Sequence, residues 1–309
     1  MQILIIGGTG HHGAFLTDLL DQAGHEVTVM SSGRIPPPER GPQSRVRYVV
    51  MPYHESMADG SFHRWVVEHR PQVIVDILQG EMPVVYEACL AGGVEQLVAC
   101  GSLWMWGRPK VVPTPPAPQT VCPFEGYRNR LAQMQAVIEQ ARGGSVAVCG
   151  IMPPNICGPG KIPLDCAGGR SVAVHQAHRR GEEVVLPDPG TNLVGPCDAF
   201  DVAAGYVSLI EHRAESAGRI FNVGAAYALT SERFVASYGE IYGVQIPVRY
   251  VAPEVFAREI MPDEGANFHF LEHMCPDISA LVELGFRPRY TPEQTLERAV
   301  RWMFDEGVL

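Results

Sequence analysis

Lysine is nearly missing from this chain: of 24 basic residues only Lys110 and Lys161 are lysine, so chemistry that needs an ammonium has two candidates. No run of 18 apolar residues occurs, which excludes a bilayer-spanning helix. The start carries no charged-then-apolar leader, and the expectation is a cytoplasmic protein without membrane contact. The eight cysteines, from Cys89 to Cys275, form no Cys-x-x-Cys pair, which argues against zinc or dithiol chemistry and for buried thiols. His269 and His273 stand four apart with no carboxylate to complete a metalloenzyme pattern, so no metal is expected. A basic surface is lacking too. A net charge of -10 and a pI near 5.6 argue against a nucleic-acid partner, though not against a small anion in a locally positive pocket.

What is present reads as an enzyme of alternating strands and helices. At 309 residues and 46% hydrophobic composition, the chain can bury one large core and a smaller one. The apolar run Ile3-Leu4-Ile5-Ile6 leads into Gly7-Gly8-Thr9-Gly10-His11-His12-Gly13 and then a periodic segment to Ala23: strand, tight turn, helix. Glycines at 7, 10 and 13 permit the turn, close approach of backbone N–H groups to a pyrophosphate, and tight helix-to-strand packing. Gly7, Thr9, Gly10, His11, His12 and Gly13 are therefore cofactor-binding candidates. Strands are predicted over 2–6, 26–30, 46–51, 72–77, 95–100 and 145–150, with helices near 12–23, 59–69, 82–92 and 126–141. This alternation predicts an α/β fold, a doubly wound parallel sheet of Rossmann type, with a smaller C-terminal substrate-binding domain. The domains are expected at 1–156 with 198–224, and at 157–197 with 225–309. After the second strand comes Ser31-Ser32-Gly33-Arg34 with no carboxylate. An acid there would bond the adenosine ribose hydroxyls, whereas Ser31, Ser32 and Arg34 suit a 2'-phosphate, so the cofactor is read as NADP(H).

Further motifs carry a family resemblance. Gly101-Ser102-Leu103-Trp104-Met105-Trp106-Gly107, Pro154-Asn155-Ile156-Cys157-Gly158-Pro159-Gly160, Asp198 to Ala203, Phe221-Asn222-Val223-Gly224 and Leu284-Gly285-Phe286-Arg287-Pro288 stand in order along the chain. Together they resemble the extended short-chain dehydrogenase/reductase family of sugar-nucleotide epimerases and dehydratases. The resemblance implies Ser102 and Tyr127 as catalytic residues, adds Gln79, Pro153 and Asn155 to the cofactor site, and implies a homodimer through the helices near 82–92 and 126–141.

The departures shape the functional expectation. The family's Tyr-x-x-x-Lys motif puts an ammonium beside the phenol, yet position 131 holds Leu131; a two-residue slip would put Glu125 and Asn129 in the two slots instead. A phenol without a cation ionises near pH ~10 and is a poor base. No basic residue precedes Asp198 where relatives hold a diphosphate, and Met152 replaces a common arginine. Trp104, Trp106, Met152 and Cys157 then line the expected substrate site, and an aromatic wall suits a planar ligand. The expectation is an NADPH-dependent ketoreductase acting on a bulky aromatic, polyketide-like ketone, with the proton coming from water or the substrate. The alternatives are a sugar-type epimerase or dehydratase with bound cofactor, or a non-catalytic NADP-binding regulator.

Overall fold

The structure, a computed structural model, describes residues 1–309. The strands are β1 (Gln2–Ile6), β2 (Glu26–Ser31), β3 (Arg47–Val50), β4 (Val73–Asp76), β5 (Gln96–Cys100), β6 (Ala147–Met152) and a late strand, Ile220–Asn222. They form one sheet in the order late strand, β6, β5, β4, β1, β2, β3, with every neighbouring pair parallel. This is the doubly wound α/β architecture that the alternation predicts.

Side-chain alternation explains how one strand serves two cores. Along β1, Leu4 and Ile6 enter a cluster on one face while Ile3 and Ile5 enter a cluster on the other. The first face is covered by α3 (Ser61–His69, preceded by a short α2, Tyr53–Ala58), α4 (Met82–Gly92) and α5 (Glu125–Gln140). The second face is covered by α1 (His11–Gln22) and the helix Ala199–Glu211. Strands β4 and β5 are buried at every residue, as expected of parallel strands covered on both sides. A third cluster, including Leu164, Phe234, Tyr238, Phe270 and Val300, packs separately.

The strand order reverses between β1 and β4, which are neighbours in the sheet though two strands separate them in the chain. Such a reversal leaves a crevice at the carboxyl ends of the strands, because the loops leaving β1 and β4 turn to opposite faces. The glycine turn after β1 and the loop after β4 meet there.

Candidate active site

A cleft of about 460 Å³ occupies this crevice. Its walls come from the glycine turn, the loop Ile77–Gln79 after β4, the segment Cys100–Ser102 with Trp104, one face of α5, residues 153–156, and Lys161, Arg170 and His269 from the chain beyond β6. The turn is shaped by its glycines. Gly7 has φ +88, and a Cβ on Gly13 would stand 2.6 Å from the Gly7 carbonyl oxygen and 2.9 Å from Gly8 Cα, so the helix can approach the strand only without a side chain. Helix α1 starts after Gly10, whose lack of a side chain leaves the first-turn N–H groups uncapped beside the cleft. Thr9 of the same turn is partly buried and does not line the cleft.

The loop after β4 is held by Asp76. Its buried carboxylate accepts hydrogen bonds from Leu78 N at 2.9 Å, Gln79 N at 3.1 Å and the Tyr53 hydroxyl at 3.0 Å. Burial raises the Asp76 pKa, against the lowering effect of those bonds. Gln79, at φ +54, donates from Nε2 to Gly101 O at 3.1 Å and thereby ties this loop to the one after β5. Four buried polar atoms on the cleft walls have no partner within the protein: His12 Nε2, Gln79 Oε1, Asn155 Nδ2 and His269 Nδ1. A cradle this tight, uncapped N–H groups and unpaired polar atoms fit a dinucleotide cofactor.

The two histidines of the turn differ. His11 Nε2 lies 3.2 Å from Gly158 O and links the turn to the loop that carries Lys161; burial is the main cause that lowers its pKa to about 4. His12 stacks on Tyr206 at 5.8 Å, and burial again lowers its pKa, to about 3. Both are neutral near pH 7, so neither adds positive charge at the helix start.

Ser102 lines the cleft and also caps the single 3-10 turn Leu103–Trp106, accepting from Trp104 N at 3.3 Å. Tyr127 lines the cleft from α5, whereas Glu125 and Asn129 are exposed and do not, which removes the two-residue slip. Leu131 is packed in the first core cluster with Met134, Val137 and Ile138. The residue that shares the cleft with Tyr127 is Arg130, three positions on and on the same helix face. Trp104 forms the aromatic wall, its ring 4.7 Å from His269, 5.0 Å from Phe268, 5.2 Å from Phe124 and 6.0 Å from Tyr127.

Three expected substrate contacts lie elsewhere. Trp106 is 1% exposed and donates from Nε1 to Asn222 Oδ1 at 2.8 Å, since the 3-10 turn directs it inward where Trp104 faces outward. Met152, the last residue of β6, is buried against Gly101. Cys157 belongs to the third core cluster. Pro153 and Asn155 do line the cleft. Ser31, Ser32 and Arg34 lie at the end of β2; the Ser31 and Ser32 hydroxyls accept from Gly33 N and Arg34 N at 3.3 and 3.5 Å, and Arg34 is exposed with no ion pair. His273 Nδ1 accepts from Leu193 N at 3.2 Å, so the two histidines at 269 and 273 are engaged separately.

Sequence reasoning missed the charge of the cleft. Arg130, Lys161 and Arg170 all line it, and none is paired with a carboxylate. Arg170 donates to Ile162 O and Ile156 O, both at 2.7 Å, which fixes the loop that carries Lys161. Burial, then the neighbouring Arg170, lowers the Lys161 pKa. Arg130 was legible as an (i, i+3) partner of Tyr127. Lys161 and Arg170 sit in an irregular loop whose path no periodicity announces. A second depression, lined by Glu95, Arg142 and Arg213, lies at the amino ends of β5 and β6, away from this chemistry.

The sequence signature of the NAD dependent epimerase/dehydratase family matches residues 3–224. A UDP-glucose 4-epimerase of Corynebacterium glutamicum is 24% identical over 342 residues, covering 100% of this chain and 97% of the relative. Among solved structures, a UDP-glucose 4-epimerase of Thermotoga maritima with UDP-glucose aligns with TM-score 0.74 at 20% identity, covering 100% of both chains. A UDP-glucose-4-epimerase of Stenotrophomonas maltophila with bound NAD and formylated UDP-arabinopyranose gives 0.73 at 18% identity, covering 100% of this chain and 99% of that one. These matches overturn the expectation of a ketoreductase for an aromatic, polyketide-like ketone. That expectation rested on the cations missing at position 131, before Asp198 and at position 152, while the fold delivers cations from α5 and the 157–171 loop.

Proposed function

The chain belongs to the NAD dependent epimerase/dehydratase family, and from that premise we propose that it is a sugar-nucleotide epimerase that oxidises and re-reduces a hexose carbon of a UDP-sugar. The observation that carries this reading is the convergence of three cations without carboxylate partners, Arg130, Lys161 and Arg170, on the cleft that holds Ser102 and Tyr127. A diphosphate is the ligand that Lys161 and Arg170 suit, since a planar guanidinium can pair with two of its oxygens at once, and this leaves Arg130 beside Tyr127.

When bound, a nicotinamide dinucleotide supplies a hydride acceptor and donor. Gly7, Gly10 and Gly13 would hold its pyrophosphate at the start of α1, with Gln79, Pro153 and Asn155 along its path. Ser31, Ser32 and Arg34, with no carboxylate beside them, favour NADP(H) over NAD(H). Ser102 would hydrogen-bond the reacting oxygen, and Tyr127 would take and return its proton. Arg130 keeps a permanent positive charge in the cleft, which stabilises negative charge developing on an oxygen there. Trp104 offers a flat apolar face for the ring of the sugar. Epimerisation is favoured over dehydration because no carboxylate lines the cleft, and removal of water needs a further acid and base.

The same reading keeps the division into 1–156 with 198–224 and 157–197 with 225–309, the smaller part supplying Lys161, Arg170 and His269. It also keeps a homodimer through the exposed faces of α4 and α5. The test is incubation with UDP-glucose or UDP-galactose and either dinucleotide, with products identified by proton NMR. A C4-inverted product supports the proposal. Unchanged UDP-hexoses with both dinucleotides, from protein that binds UDP and dinucleotide, would overturn it.

A further inference from the structure

His269 sits on the helix Glu264–Leu271, started by the Asp263 carboxylate, which accepts from Ala266 N at 2.7 Å. Its neighbours anchor it from both sides. Phe268 is fully buried in the core cluster of the sheet and Phe270 is fully buried in the third cluster, so the intervening side chain is directed into the cleft between them. There the imidazole lies edge-on to Trp104 at 4.7 Å, beside the wall shared with Tyr127 and Ser102. Its Nδ1 is buried and has no partner within the protein. Resting on the sugar-nucleotide reading above, we propose that His269 hydrogen-bonds a hydroxyl of the sugar held against Trp104, and so helps to set which sugars the cleft accepts.

The chemistry of the ring supports a hydroxyl rather than a phosphate as the partner. Burial is the main cause that lowers the pKa to about 3, with the nearby Arg170 adding to it, so the ring is neutral through the physiological range. A neutral imidazole offers one N–H donor and one bare acceptor, and a hydroxyl both donates and accepts. Phosphate oxygens only accept, and the cleft provides cations for them. A ring this weakly basic is a poor proton acceptor, which makes it a residue of specificity rather than of proton transfer.

The experiment is calorimetric binding of UDP and of UDP-glucose to the dinucleotide-loaded protein as wild type, His269→Phe and His269→Asn. Loss of one neutral hydrogen bond in an enclosed site predicts about tenfold weaker UDP-glucose binding in His269→Phe, with UDP binding unchanged and partial recovery in His269→Asn. Unaltered UDP-glucose affinity in His269→Phe would reduce His269 to packing and overturn the proposal. Equal losses for UDP and UDP-glucose in both variants would also overturn it, since the sugar would not be what His269 contacts. Wild-type protein that binds neither ligand would overturn the sugar-nucleotide reading itself, which separates that failure from the other two.

Discussion

At the scale of single residues, the account turns on which side chains of α5 face the cleft. Leu131 is core and Arg130 is cleft, so a charge absent from one helix position is supplied from the one before it. If Arg130 stabilises the charge of the reacting oxygens, Arg130→Met lowers kcat by about 10- to 100-fold and Arg130→Lys recovers most of it. Steady-state kinetics with a UDP-hexose reads this, and a kcat within twofold of wild type in Arg130→Met would remove Arg130 from the mechanism. A second prediction concerns the turn. In Gly13→Ala the new methyl meets backbone on two sides, so the expected result is a cost of about 1–3 kcal/mol in urea unfolding and at least about tenfold weaker dinucleotide binding. Wild-type values for both would contradict the role given to that close approach. The glycine turn was readable because three small residues at fixed spacing have a steric reason. Arg130 and Leu131 were harder, since a one-residue difference on a helix is a rotation of about 100°, and spacing alone does not say which of two adjacent side chains meets the core.

At the scale of elements, the loops that frame the site depend on bonds that cross from one segment to another. Tyr53, at the start of α2, donates to Asp76 and accepts from Gly80 N at 3.1 Å and Glu81 N at 2.9 Å, thereby fixing the loop between β4 and α4. Tyr53→Phe should cost about 1–3 kcal/mol in denaturant unfolding, because it leaves buried groups unpaired, and should weaken dinucleotide binding through Gln79. Stability and binding both within error of wild type would show the loop to be held by other means. The long strands and helices were legible in the sequence, since β1, β4, β5 and β6 are largely apolar runs, β2 alternates, and α3 follows a clear helical period. Helix α2 was not, because six residues give too few turns for a period to show. The late strand Ile220–Asn222 is only three residues long and was legible as part of a motif rather than as a strand. Trp106 shows the limit of reading a short turn: both tryptophans leave the end of β5, and only the packing against Asn222 decides that one faces inward.

At the scale of the whole molecule, a chain of net charge -10 places three cations, Arg130, Lys161 and Arg170, in one cleft beside the imidazoles of His11, His12 and His269. Burial lowers the pKa of His11 and His178 to about 4, and of His12 and His269 to about 3, from an ordinary 6.5. As pH falls below 6.5 the unfolded chain takes up protons that the folded chain refuses, so this contribution is complete above 6.5 and is lost as pH falls toward 4. Asp201, raised to about 6 chiefly by burial, acts in the opposite sense, and Asp76 and Asp198 are raised in the same direction by burial. The histidines outnumber them, so unfolding free energy should drop by at least about 2 kcal/mol between pH 7 and pH 5 in denaturant titrations. A constant or rising value over that range would contradict the burial of these rings. Overall charge and the alternation of elements were visible from composition and pattern. The local sign of the cleft was not, because it depends on where the loop that carries Lys161 and Arg170, well beyond the end of α5, folds back.

The central claim is that this cleft oxidises and re-reduces a carbon of a sugar nucleotide, and the fate of a deuterium at that carbon tests it most directly. UDP-glucose deuterated at C4, turned over in ordinary water with bound dinucleotide, is predicted to yield the C4-inverted sugar with the deuterium still at C4. Recovery of the starting sugar alone, or of a product from which the C4 deuterium has exchanged with water, would contradict the account.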